Sequence, residues 1–164
     1  MFTRKFLFVA TILFLTSFTY LPTSAVAQSV PGFQMQLSNG RIFSAKNLSP
    51  QKPTVLIYFA PDCEHCQILM DELFKKIGSF KKAQIVMVTF ENSHEVIGFE
   101  RLHQTERFSN IKVGTEIPTF FLRNYYKLQR TPFTALFDKR GKMVVSYKDQ
   151  TPVNDLIRHL NNLK

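Results

Sequence analysis

The chain has 164 residues, enough for one domain and short for two. Hydrophobic residues make up 45% of it, with 17 Phe and no Trp, which supplies an ample core and excludes a disordered chain. The formal net charge is +9, but the Lys and Arg residues are scattered, which argues against a nucleic-acid interface and leaves a weak attraction to anionic membrane surfaces or acidic partners.

Residues 1–27 read as an address. Arg4 and Lys5 give a positive start, Phe6 to Leu21 is uncharged and largely apolar, Pro22 breaks the run, and Ala25-Val26-Ala27 offers small residues at the −3 and −1 positions of a cleavage site. That is the three-part pattern of a secretory signal peptide. The expectation is cleavage after Ala27, an exported, periplasmic location and a mature domain over residues 28–164 with a net charge of +7. The alternative is a membrane anchor formed by residues 6–21, a run of 16 that falls slightly short of a span. No Cys lies near the site, so a lipid anchor has no attachment point.

In chain order, Phe33 to Leu37 alternates, Ser38-Asn39-Gly40 turns, and Arg41-Ile42-Phe43 returns, which predicts a small hairpin. Thr54 to Phe59 is a continuous apolar run suited to a strand buried on both faces. From Glu64 apolar residues recur at helical spacing through Ile68, Leu69, Leu73, Phe74 and Ile77, until Gly78. Gln84 to Phe90 is a second buried strand, and Ser93 caps a helix to about Arg107. Phe108 to Ile117 reads as turn-like. Pro118 fits the first turn of a short helix ending near Leu128. Phe133 to Phe137 and Met143 to Tyr147 are strands around an Asp138-to-Gly141 turn, and Pro152 opens a last amphipathic helix. The class is α/β, a central mixed sheet flanked by helices on both faces.

Both cysteines fall in the mature part, as Cys63-Glu64-His65-Cys66. An oxidising compartment lets a disulfide persist, but a bridge across so small a loop does little for stability, so the spacing points to chemistry. The pair sits where a strand ends and a helix begins. Unpaired N–H groups and the positive end of the helix dipole favour a thiolate there. Cys63, at the rim, is the expected attacking thiol, and Cys66, one turn further in, the resolving one. His65 and Glu64 are expected to tune the site in opposing senses: a protonated imidazole favours the thiolate, and the carboxylate disfavours it. His94, His103 and His159 read as surface residues rather than ligands.

The segment TVLIYFAPDCEHCQILMDEL, with KLQRTPFTALFDKRG later, resembles the thioredoxin-like proteins, especially the exported TlpA-like or ResA-like branch, over nearly all of residues 31–163. The resemblance implies the thioredoxin fold with an N-terminal β-hairpin, thiol–disulfide oxidoreductase activity on protein thiols and disulfides, and a separate redox partner that recharges the dithiol. It also implies a cis Pro132 facing Cys63 and Cys66, and a Thr131 whose backbone pairs with an extended substrate strand. Pro118 is the competing proline, set aside because a helix is expected after it. The sequence departs from the family in three places: Asp62 stands where Trp is common, Ile57 where many members bury an Asp, and Leu69 where the branch often has an acid. The usual proton acceptor for Cys66 is therefore not evident.

No cofactor is expected beyond the redox-active Cys63–Cys66 disulfide, and no metal. The alternative function is a Cu(I)-binding metallochaperone of the same fold, since thiolates are soft ligands. Copper chaperones of that kind have wider Cys spacing and a distant His near the position of Thr131, and this chain has neither. A peroxidase of the peroxiredoxin type needs a Thr before its reactive Cys, where Ala60-Pro61-Asp62 has none.

Overall fold

The computed structural model describes residues 28–163. The expected signal segment and anchor, residues 1–27, lie outside them. Seven strands form one mixed sheet in the order β2-β1-β5-β4-β3-β6-β7. They are β1 (Gln34–Leu37), β2 (Ile42–Ser44), β3 (Thr54–Phe59), β4 (Gln84–Thr89), β5 (Ile111–Glu116), β6 (Phe133–Phe137) and β7 (Met143–Lys148). β3, β4 and β5 run parallel, and β1, β2, β6 and β7 join antiparallel. The helices are α1 (Glu64–Lys75), α2 (Ser93–His103), α3 (Phe121–Tyr126) and α4 (Val153–Asn161).

All six residues of β3 are buried, as its unbroken apolar run requires of a central strand. Its alternate side chains feed two cores. Val55, Ile57 and Phe59 meet α1, α2 and α4 on one face, while Leu56 and Tyr58 meet Leu122 and Tyr126 of α3 on the other. Each such side chain contributes about 1.5–3 kcal/mol. The hairpin of β1 and β2 forms as expected, with Gly40 at φ 79° in the turn.

Three local expectations are corrected. Residues 111–116 are a strand, not a turn. β5 lies between β1 and β4, and a Cβ at Gly114 would stand 2.6 Å from the Gln36 carbonyl oxygen, so the residue that looked like a breaker permits close strand approach. α2 is capped by the Asn92 side chain, which accepts from the His94 and Glu95 N–H groups. It ends at His103 because Gln104 turns left-handed at φ 50°, and residues 105–107 form a separate 3₁₀ turn. Ile117–Pro118 is a cis peptide outside the helix, and α3 begins only at Phe121.

Candidate active site

β3 delivers the chain to the rim of the sheet, Ala60 to Asp62 turn it, and α1 begins. Cys63 is the N-cap of α1, with extended backbone at φ −84° and ψ 121°. Its carbonyl accepts from the Gln67 N–H at 3.0 Å. Its side chain is partly exposed, whereas Cys66, in the first turn, is 1% exposed and packs in the core. Both are free thiols.

The two sulfurs differ in acidity. Burial pushes the Cys63 thiol up, but hydrogen bonds from the Cys66 thiol, the Thr131 side chain and the Cys66 and His65 backbone outweigh it, so the net effect is a lowered pKa. Cys66 is pushed up to about 12, first by burial and then by the hydrogen bond it gives to Cys63. One thiol is poised to ionise, and the other holds its proton.

Thr131–Pro132 is a cis peptide, as expected. When protonated, the Cys63 thiol donates to the Thr131 carbonyl at 3.4 Å. The Thr131 N–H donates to no backbone group among the described residues. Behind it, Tyr126 packs against Phe133 with ring centroids 4.3 Å apart. His65 donates from Nδ1 to the Asp149 carboxylate at 3.1 Å, each side chain being 40% exposed. Asp149 adopts φ 71°, and its own N–H donates to the Pro132 carbonyl at 2.9 Å. It thus ties the end of β7 both to the proline loop and to the first turn of α1. Cys63, Glu64, His65, Thr131, Arg130 and Asp149 line one shallow hollow of about 370 Å³.

The sequence reading missed Asp149 and Arg130. Arg130 adjoins Thr131 and was within reach of the resemblance. Asp149 lies 84 residues from His65, and no local pattern joins them.

Behind the dithiol, a cleft of about 410 Å³ between α1 and α2 reaches Cys66 and carries Asp71, Glu95 and His103. Ile57 is fully buried on the Cys66 side of the sheet. The buried carboxylate of Glu116 belongs to the opposite face. It accepts from Tyr58 Oη at 2.7 Å and from the Phe120 and Leu122 N–H groups, and so anchors the start of α3. Burial pushes its pKa up against those bonds. His103 lies between Phe74 and Phe99, and burial lowers its pKa despite nearby Asp71. Among the described residues no three His, Cys, Asp or Glu side chains converge as a metal site.

Fold and site define a thioredoxin-like thiol–disulfide oxidoreductase. The chain belongs to the AhpC/TSA family, which it matches over residues 26–156. No curated protein sequence matches it. Similar solved structures include a SCO1/SenC family lipoprotein from Bacillus anthracis, with TM-score 0.68 at 20% identity, covering 84% of this chain and 96% of that one. Another is dsbF of MTB in its mixed oxidised and reduced forms, with TM-score 0.65 at 19% identity, covering 83% and 100%. A third is the exposed lipoprotein thioredoxin Etrx1 from Streptococcus pneumoniae, with TM-score 0.58 at 20% identity, covering 81% and 100%. At these identities the likeness is one of fold.

Proposed function

We propose that this protein is exported and exchanges or reduces disulfides of protein substrates through Cys63 and Cys66. The observation that carries the reading is the asymmetry of the pair: a partly exposed Cys63 with lowered pKa beside Thr131, and a buried Cys66 pushed up to about 12. The Cys63 thiolate attacks one sulfur of a substrate disulfide, forming a mixed disulfide and expelling the other sulfur as a thiolate that takes a proton from water. Cys66 then gives up its proton and attacks the Cys63 sulfur. The substrate leaves as a dithiol, reduced by two electrons, and Cys63–Cys66 is a disulfide. A separate dithiol partner returns those electrons, and run backwards the same steps oxidise substrates.

Two variants test the roles. Cys66→Ala should accumulate mixed disulfides at Cys63, since no internal thiol remains to release them, and Cys63→Ala should trap little. In the reduced wild type, iodoacetamide near neutral pH should modify Cys63 first. Equal trapping by both variants, or none by either, would overturn the assignment. The second reading, Cu(I) held by both thiolates, expects comparable metal loss in both variants and no mixed disulfides. Export is tested separately by the N-terminal sequence of the protein isolated from its host. Gln28 supports cleavage, and an intact chain retained in membranes supports the anchor.

A further inference from the structure

The hollow at Cys63 carries both signs of charge: Glu64 and Asp149, the latter engaged by His65, line it together with Arg130. Arg130 also lines a smaller cleft of about 110 Å³ that runs from Thr131 to Tyr58 and Phe90 and holds no carboxylate in its lining. Arg123 enters the same cleft from α3, with its guanidinium over the Phe120 ring at 5.4 Å from the centroid. Both arginines are exposed, and neither is within 4.0 Å of a carboxylate oxygen among the described residues. The carboxylates near that wall are otherwise placed. Glu116 is buried and satisfied by Tyr58 and two backbone N–H groups, and Glu91 lies within electrostatic reach of Tyr58 without pairing to either arginine. Tyr58 donates its hydroxyl proton to Glu116, and among the described residues neither guanidinium group hydrogen-bonds to its oxygen.

A small cleft with two guanidinium groups that pair with no carboxylate among the described residues, and an aromatic wall, suits a carboxylate, which arginine binds through paired N–H donors. Thr131 lines both this cleft and the Cys63 hollow, so a peptide in contact with Thr131 reaches both. We propose that Arg123 and Arg130 form a subsite for an acidic side chain close to the reacting cysteine, and that the protein prefers substrate segments carrying Asp or Glu on that side alone. This rests on the dithiol reading of Cys63 and names the substrate chemistry of the same site.

The probes are short peptides in which a central Cys is activated as a 2-thiopyridyl disulfide. Glu stands two residues before it or two residues after it, with Gln and Lys counterparts at each position. The release of thiopyridone by the reduced full chain gives a rate constant for each peptide. One Glu position should react about five-fold faster than its Gln counterpart at low salt, the gain shrinking at high salt, and the other should not. Arg130→Glu should invert the preference at that position towards Lys, and Arg123→Gln should flatten it. Because each ratio is read within one variant, partial loss of folded protein does not mimic the result. A wild type with no Glu preference at either position, or variants that keep it unchanged, would overturn the subsite alone. A wild type inert to every peptide would overturn the dithiol reading and the subsite with it.

Discussion

Cys63 and Cys66 carry the same side chain three positions apart, and pH exposes the difference between their surroundings. Cys66 is pushed up to about 12 in the folded, reduced protein, against an ordinary thiol near 9. Its folded pKa is raised, so its contribution to stability is fully present below about 9 and is lost as pH rises towards 12, because the unfolded chain releases that proton first. Urea unfolding of the reduced protein should show this loss between those values. Cys66→Ala should lose less stability over the same interval than the wild type, and a parallel pH dependence would contradict the assignment. Asp149 supports a second prediction at this scale. Its φ of 71° costs an ordinary L-residue about 1–2 kcal/mol, and its carboxylate accepts from His65. Asp149→Ala should therefore destabilise by about 1–2 kcal/mol, whereas Asp149→Gly, which adopts that backbone freely, should recover about 1 kcal/mol of it. If Ala and Gly variants unfold at the same urea concentration, the backbone conformation is not what matters there.

At the scale of elements, the parts legible in the sequence were those whose pattern is local. β3, β4 and β6 are apolar runs, α1 has a helical period bounded by Cys63 and Gly78, and α4 opens after Pro152. The dithiol at the strand-to-helix turn and the proline loop of Thr131 and Pro132 were legible for the same reason. β5 was not, because Lys112, Gly114 and Thr115 interrupt its apolar pattern and its pairing partners β1 and β4 are distant in sequence. Nor was the contact of His65 with Asp149, which exists only once β7 is placed beside β6 and α1. Gly114 gives this a measurable form. An alanine there would drive its Cβ against the Gln36 carbonyl oxygen, 2.6 Å away in backbone that cannot rotate aside. Gly114→Ala should destabilise by about 1–3 kcal/mol, as overpacking does in a filled interior. Hydrogen exchange should speed first in β1 and β2, the strands β5 holds to the rest of the sheet. A variant as stable as the wild type would mean that β1 shifts to make room.

Across the whole molecule, residues 28–33 link two wings of the sheet that lie far apart in its strand order. The Gln28 carbonyl accepts from the Met143 N–H at 2.8 Å, and the Val30 N–H donates to the Gly141 carbonyl at 3.0 Å, at the turn joining β6 to β7. Ser29 forms a β-bridge with Lys142. Within a few residues Phe33, 1% exposed, is in the core beneath α3, and the chain enters β1 on the other wing. These contacts lie wholly within residues 28–143, on the mature side of the expected cleavage point after Ala27. A form beginning at Gln28 keeps every one of these contacts. A form beginning at Phe33 loses these two backbone hydrogen bonds, the one Phe33 N–H gives to the Pro31 carbonyl, and the cover of Val30, and should be less stable than the Gln28 form by about 1–3 kcal/mol. The strap pairs at the β6–β7 turn, whereas Cys63 meets Thr131 at the other end of β6, so iodoacetamide should still modify Cys63 at the wild-type rate while the shortened form remains folded. Equal stability of the two forms would show that the strap contributes nothing, and slower Cys63 alkylation in the folded shortened form would show that it reaches the active site.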